Sequence, residues 1–186
     1  MPVAGSNSIA VGELNLASHP ALIAQARTLL LEYGRFVIAQ PGAARFCFGS
    51  LEKEAERLPM SYLEQGGGCL IAHANDKPAG FVAWRALPEN TTSDASDAAA
   101  ASISSVAWEL KRLWVRPQAR GLAVGRMLTE TVLDRARKDG CRAIYLDTAP
   151  QSMGHAHRLY LALGFVPCDK YNENPVEGLA YLIKRL

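Results

Sequence analysis

A run of small residues beside an arginine, Arg120-Gly121-Leu122-Ala123-Val124-Gly125, is the part of the chain best suited to hold phosphate. It follows an apolar stretch, Leu110 to Val115, that ends at Arg116-Pro117, and it opens a helical pattern running to about Lys138. In a strand, turn and helix arranged in that order, the first N–H groups of the helix lack partners and the positive end of its dipole lies at the turn. Such an end binds phosphate through the backbone alone. Gly121, Ala123 and Gly125 let a pyrophosphate come close. No Lys-Ser or Lys-Thr pair follows, so this is not a P-loop, and the spacing is not the G-x-G-x-x-G of a dinucleotide fold. Glu109, upstream of Val115 on the same strand, adds a second chemistry. A carboxylate whose pKa burial raises toward working pH can take a proton from an ammonium. The same residue also fits a strand-edge glutamate, solvated or paired with an arginine. Strict alternation places Glu109, Lys111, Leu113 and Val115 on one face.

Metal chemistry is not indicated. His155 and His157 stand two residues apart on a helix and face different ways, with no carboxylate–histidine constellation around them. His19, near a helix start, and His73, on a strand, read as structural. The four cysteines, Cys47, Cys69, Cys141 and Cys168, form no C-x-x-C pair and read as reduced, packed thiols of a cytoplasmic protein.

The elements that must position these residues follow from periodicity. Residues up to about Ser8 read as loose, and Ile9 to Leu16 as a first strand. Pro20 to Gly34 has a helical period, with Ser18 as its expected cap. Leu51 to Leu63 is a second helix that Pro59 breaks or kinks, stopped by Gly66-Gly67-Gly68. Cys69–His73 and Ala79–Arg85 form a hairpin around Asn75-Asp76-Lys77-Pro78. Residues 87–106, rich in Ser, Ala, Thr and Asp, read as a flexible insert in a single domain of residues 1–186. The helix after the turn buries Val124, Leu128, Val132 and Ala136, and Gly140 ends it. Ala143 to Asp147 is a strand, a helix carries Ala156 to Leu163, and Leu179 to Ile183 is the last strand. Strands alternating with helices, plus a hairpin, make a mixed α/β sheet.

Composition narrows the function. The 186 residues are 49% hydrophobic and 20% charged, enough to build one core. A net charge of +2 and the lack of a helix-turn-helix pattern argue against nucleic acid as a partner. No signal-peptide pattern is evident. No apolar run reaches the ~18 residues of a membrane span, so no membrane partner is expected.

The turn resembles the acyl-CoA motif of the GNAT superfamily of N-acetyltransferases, [Q/R]-x-x-G-x-[G/A], read here as Arg120-x-x-Ala123-x-Gly125. Ala123 stands where the family usually has a glycine, and is expected to keep its amide in helical φ/ψ. The resemblance continues through Ala143-Ile144-Tyr145-Leu146-Asp147 and Ala156-His157-Arg158-Leu159-Tyr160 to Gly164-Phe165, and covers roughly Trp108 to Leu186. Met153 replaces an asparagine common in the family. The resemblance implies a three-layer fold whose central parallel strands splay apart around acetyl-CoA. Leu113, Trp114 and Val115 would bond the pantetheine arm through their backbone, and Arg120, Gly121, Leu122, Ala123, Val124, Gly125 and Arg126 would hold the pyrophosphate. Glu109 would be the general base and Tyr160 the acid for the leaving thiolate. Tyr160 on residues alone is also a plain packing tyrosine. Arg158 could reach a CoA phosphate. The loop Tyr171-Asn172-Glu173-Asn174-Pro175, with Trp84, Arg85 and Arg112, would border the acceptor, a small-molecule or peptide amine. The implied activity is acetyl transfer to a primary amine by direct attack; a non-catalytic acyl-CoA sensor on the same fold is the alternative. A homodimer is left open.

Overall fold

The computed structural model describes residues 8–40, 48–87 and 107–186. The loose start, Cys47 and insert residues 88–106 lie outside the described residues. Strand β1 (Ile9–Leu14) leads to helix α1 (Pro20–Ile38), then α2 (Phe48–Glu56) and the short α3 (Met60–Leu63). The hairpin β2 (Gly68–Ala74) and β3 (Lys77–Leu87) follows, then β4 (Ala107–Val115). A 3-10 turn at Pro117–Ala119 precedes α4 (Val124–Lys138), β5 (Ala143–Thr148), α5 (Gly154–Ala162), β6 (Val166–Pro167) and β7 (Ala180–Arg185).

Local chemistry accounts for the boundaries. His19, not Ser18, caps α1: its Nδ1 accepts from the Ala21 amide at 3.2 Å, while Ser18 Oγ accepts from the Asn15 amide at 2.9 Å. Pro20 at the first helical turn places the cap one residue later than expected. The helix also continues past Gly34, which is buried, to Ile38. Asn75 and Asp76 take positive φ of 50° and 60°, the conformation of a tight hairpin turn. Gly67 is required where it stands: a Cβ there would lie 1.9 Å from the Trp84 carbonyl oxygen. Gly140, at φ 74°, follows the last residues of α4 as expected.

Seven strands form one sheet in the order β1-β2-β3-β4-β5-β7-β6. The pair β4–β5 is parallel and short, from Ala107↔Ala143 to Glu109↔Tyr145. Beyond it the two strands no longer pair with each other: β4 runs to Val115 against β3, and β5 runs to Thr148 against β7. This is the expected splay. Val124, Leu128, Val132 and Ala136 of α4 pack on one face of the sheet with Trp108, Leu110, Ile144, Leu146, Tyr160 and Phe165. Leu29 and Leu30 of α1, Leu51 and Ala55 of α2 and Tyr62 of α3 pack on the other face with Ile71, Phe81 and Trp114. Each buried valine, leucine or isoleucine among them contributes about 1.5–3 kcal/mol relative to exposure.

A bulge in β4 decides which side chains face the site. Phe81 pairs with Trp114 and Ala83 with Lys111, so Arg112 and Leu113 together oppose Val82. Arg112 adopts φ 60°. One extra residue reverses the alternation beyond it. Trp108 and Leu110 lie in the α4-side cluster, but Trp114 lies in the α1-side cluster, and Leu113 and Val115 pack toward α4. Glu109 and Lys111 therefore do not share a face with Leu113 and Val115, contrary to strict alternation.

Candidate active site

The phosphate turn is built much as its residues suggest. The 3-10 turn ends at Arg120, Gly121 takes φ 82°, and α4 begins at Val124. The first backbone bond of the helix runs from the Met127 amide to the Ala123 carbonyl at 3.0 Å. The amides of Gly121, Ala123, Val124, Gly125 and Arg126 donate to no protein acceptor among the described residues. Ala123 departs from expectation. It sits in the left-handed region, at φ 62° and ψ 9°, because the chain must reverse before the helix starts. Arg120 lies over the Trp114 ring, 5.4 Å from its centroid, and donates Nε to the Val115 carbonyl at 3.3 Å. The Trp114 indole is turned away, donating to Glu32 at 3.2 Å. Arg116 grips the same carboxylate at 2.9 and 2.7 Å. Arg126 pairs with Glu130, and Arg158 lies 2.9 Å from His155 Nδ1, so both are helix-surface contacts here.

Where β4 and β5 part, a slot of about 40 Å³ opens, lined by Glu109, Arg112, Leu113, Asp147, Thr148 and Tyr160 among others. Tyr160 is 4% exposed, packs edge-on against Phe165 and has no hydroxyl partner among the described residues. Burial raises its pKa well above the ordinary phenol value, so it keeps its proton. Thr148 Oγ1 is likewise buried without a partner among the described residues.

Glu109 is 1% exposed and fully engaged. Arg85 Nε donates to Oε2 at 2.6 Å, and Lys111 Nζ stands 3.4 Å from the same oxygen. The Tyr171 hydroxyl and Asn172 Nδ2 donate to Oε1 at 3.0 and 3.2 Å. Burial pushes this carboxyl up, but Lys111 and Arg85, with the hydrogen bonds from Arg85 and Tyr171, outweigh it and hold it below the ordinary value. Lys111 is shifted down, chiefly by burial and against the pull of Glu109. Glu109 thus matches the reading of a glutamate paired with an arginine, and the condition that burial raise it toward neutrality is not met, because the neighbouring cations win.

The polar loop does border this place. Asn172 Nδ2 reaches Asp147 Oδ2 at 2.7 Å as well as Glu109, and Asn174 Nδ2 donates to the same oxygen at 3.2 Å. Next to the slot is a cavity of about 350 Å³, lined by Tyr33, Lys111, Arg112, Asp147, Asn174 and Glu177 among others. Arg112 borders it as expected, with its guanidinium spent on Glu54 at 3.2 and 3.1 Å and lying 5.7 Å from the Tyr33 ring centroid. Tyr62 donates its hydroxyl to Glu54. Trp84 is instead a core residue, stacked on Trp108. Sequence reasoning did not single out Asp147, Glu54 or Tyr33. Asp147 at the end of an apolar strand was the one available signal. A larger groove of about 710 Å³, at Glu32, Pro78, Trp114 and Leu122, lies elsewhere and shares no lining residue with the slot. Among the described residues no group of His, Cys, Asp and Glu could hold a metal ion, and no helix is long and apolar enough to cross a membrane.

Comparison with known proteins agrees with this geometry. The model of the acetyltransferase (GNAT) family matches residues 39–165. An uncharacterised N-acetyltransferase of Schizosaccharomyces pombe is 36% identical over 74 residues, which are 40% of this chain and 45% of that protein. The chain spans about a third to a half of the length of the curated relatives it matches. A GNAT-family acetyltransferase from Staphylococcus aureus superposes with TM-score 0.68 at 18% identity, covering 96% of this chain and 99% of that one. An acetyltransferase from Salmonella typhimurium, solved with its cofactor acetyl-CoA, superposes with TM-score 0.62 at 15% identity, covering 96% of this chain and 94% of that one. Likeness at these identities establishes the fold.

Proposed function

The chain belongs to the GNAT acetyltransferase family, and from that premise we propose that it moves an acetyl group from acetyl-CoA to a primary amine by direct attack. The observation that carries this reading is the slot between the parted strands, with a protonated, unengaged Tyr160 hydroxyl on its wall and a polar cavity beside it. In the proposal, the amides of Gly121, Ala123, Val124, Gly125 and Arg126 hold the pyrophosphate, and the backbone of Leu113, Trp114 and Val115 receives the pantetheine arm. Acetyl-CoA then supplies the activated acyl group at the slot. A backbone amide at the end of β4 steadies the oxyanion. Tyr160 protonates the leaving thiolate. Glu109, the expected base, stays in the proposal as the ionised end of a network that Asn172 joins to Asp147. Small-molecule and peptide amines both remain acceptor classes, and the cytoplasm is the proposed setting, in keeping with the buried thiols Cys69 and Cys141.

Calorimetry with CoA, followed by a thiol-release assay with acetyl-CoA and a panel of primary amines, tests the reading. CoA binding together with amine-dependent thiol release is expected. Binding without release from any amine would mark a sensor, and no binding would refute the whole proposal.

A further inference from the structure

We propose that Asp147 is the carboxylate that meets the acceptor: it seats the ammonium and removes its proton. This rests on the acetyltransferase reading above.

Two carboxylates from the parted strands face each other through Asn172, which donates to both. They differ in what they have left to offer. Glu109 is 1% exposed, and both of its oxygens are taken, by Arg85 and Lys111 on one and by Tyr171 and Asn172 on the other. An ammonium approaching it would have to displace one of these donors. Asp147 is half-buried and takes part in no ion pair among the described residues. Its Oδ2 accepts from Asn172 and Asn174. Its Oδ1 has no partner among the described residues. Asp147 also lines both the slot and the 350 Å³ cavity, the junction that an amine entering from the cavity must cross to reach a thioester in the slot. The two asparagine amides orient the carboxylate without neutralising it, and the cations nearest it are committed, Lys111 to Glu109 and Arg112 to Glu54.

The step balances as follows. One ammonium proton passes to Asp147 Oδ1. The nitrogen lone pair forms the C–N bond to the thioester carbon. The C–S bond breaks with its electron pair on sulfur, and the thiolate takes the Tyr160 proton. The second proton leaving nitrogen restores Tyr160, and Asp147 returns its proton to water as the amide departs.

Among the described residues, the charged and titratable groups around Asp147 are Glu109, Lys111 and Arg112 of β4, Tyr33 of α1, Tyr160 of α5, Tyr171 and Glu177 of the loop and Tyr181 of β7. Burial holds all four tyrosines in the protonated form across the neutral range. With the tyrosines set aside, an acidic limb in kcat belongs to a carboxylate, to Lys111 or to the amine itself.

The experiment compares wild type, Asp147→Asn, Asp147→Ser and Glu109→Gln. The probe amine is whichever of butylamine, phenethylamine, putrescine and a tetrapeptide amide gives the fastest thiol release. Asp147→Asn is expected to bind CoA as wild type does and to lose ~10²-fold or more in kcat. Its KM for the amine should rise, and its acidic limb should move up toward the amine's own value. Asp147→Ser, smaller and uncharged, should behave alike, which separates loss of charge from an awkward amide. Glu109→Gln neutralises the other end of the Asn172 bridge and should still show an acidic limb, and a limb that disappears with Glu109 rather than with Asp147 overturns the inference. An unmoved limb or normal kcat in folded Asp147→Asn overturns the inference and leaves the acetyltransferase reading standing. No turnover of any amine by wild type overturns both.

Discussion

Replacing Ala123 with glycine should stabilise the protein without weakening its hold on CoA. Ala123 sits at φ 62° and ψ 9°, immediately before α4. An L-residue in that region brings its Cβ close to the following carbonyl oxygen, at a cost of about 1–2 kcal/mol. Glycine removes that cost but frees the unfolded chain, which gives back about 0.4–1 kcal/mol. The net gain is centred at ~0.8 kcal/mol within a range of ~0–1.6, or ~2–3 °C in Tm for a chain of this size. The amides of Gly121 to Arg126 need not move, so the CoA Kd should stay within ~3-fold, since no donor is added or lost. Differential scanning calorimetry of the apo protein and titration calorimetry with CoA measure the two quantities. A fall in Tm would mean that Ala123 is not held in the left-handed region. An unchanged Tm with a Kd weakened tenfold or more would mean that the strained alanine pre-organises the turn.

Gly125→Asp should abolish calorimetric CoA binding with little loss of fold. A Cβ at this helical position meets only the Leu159 and Val115 side chains, at 3.4 Å, so the effect is that of a carboxylate among phosphate-binding amides. Tyr160→Phe should melt within a few degrees of wild type, because the hydroxyl has no partner among the described residues. It should bind acetyl-CoA normally and turn over ~10- to 10³-fold more slowly; normal turnover would reduce the tyrosine to packing. Glu109→Gln leaves Arg85 and Lys111 beside a neutral group, and should cost about 2–3 kcal/mol in urea melts. That is below the value for a fully buried pair because Arg85 is 35% exposed. Because the folded protein holds Glu109 below the ordinary carboxylate value, its contribution is present above that value. It disappears as the pH falls through the lowered one. The stability gap between wild type and Glu109→Gln should therefore close on acidification, and a gap that widens would contradict the assigned direction.

Local signals in the sequence located the turn, the hairpin and the end of α4, because each depends on neighbours a few residues away. Gly140, Asn75-Asp76 and the small residues of the turn are of this kind. What the sequence could not disclose depends on distant partners. The loop from Tyr171 to Pro175 is expected near the acceptor, yet its task of joining Glu109 to Asp147 arises only when β4, β5 and β7 lie side by side. The direction of the Glu109 shift is open in the sequence for the same reason: burial is foreseeable, but Arg85 meets it from β3 across the sheet.

The bulge at Arg112 is the most consequential feature that alternation hides. Its side chain is gripped at both guanidinium ends by Glu54, 58 positions earlier on α2. That grip accompanies a left-handed backbone that arginine does not favour by itself. The reversal it causes divides β4 into two parts. Before the bulge, Glu109 and Lys111 turn toward Asp147 and the loop. After it, Leu113 and Val115 pack toward α4, while Trp114 is buried against Phe36, 5.2 Å between ring centroids, and bonded to Glu32. A straight strand would exchange these faces and put an indole where the aliphatic side chains meet α4. Geometry at the slot thus depends on α2, an element that contributes no residue to the slot's lining.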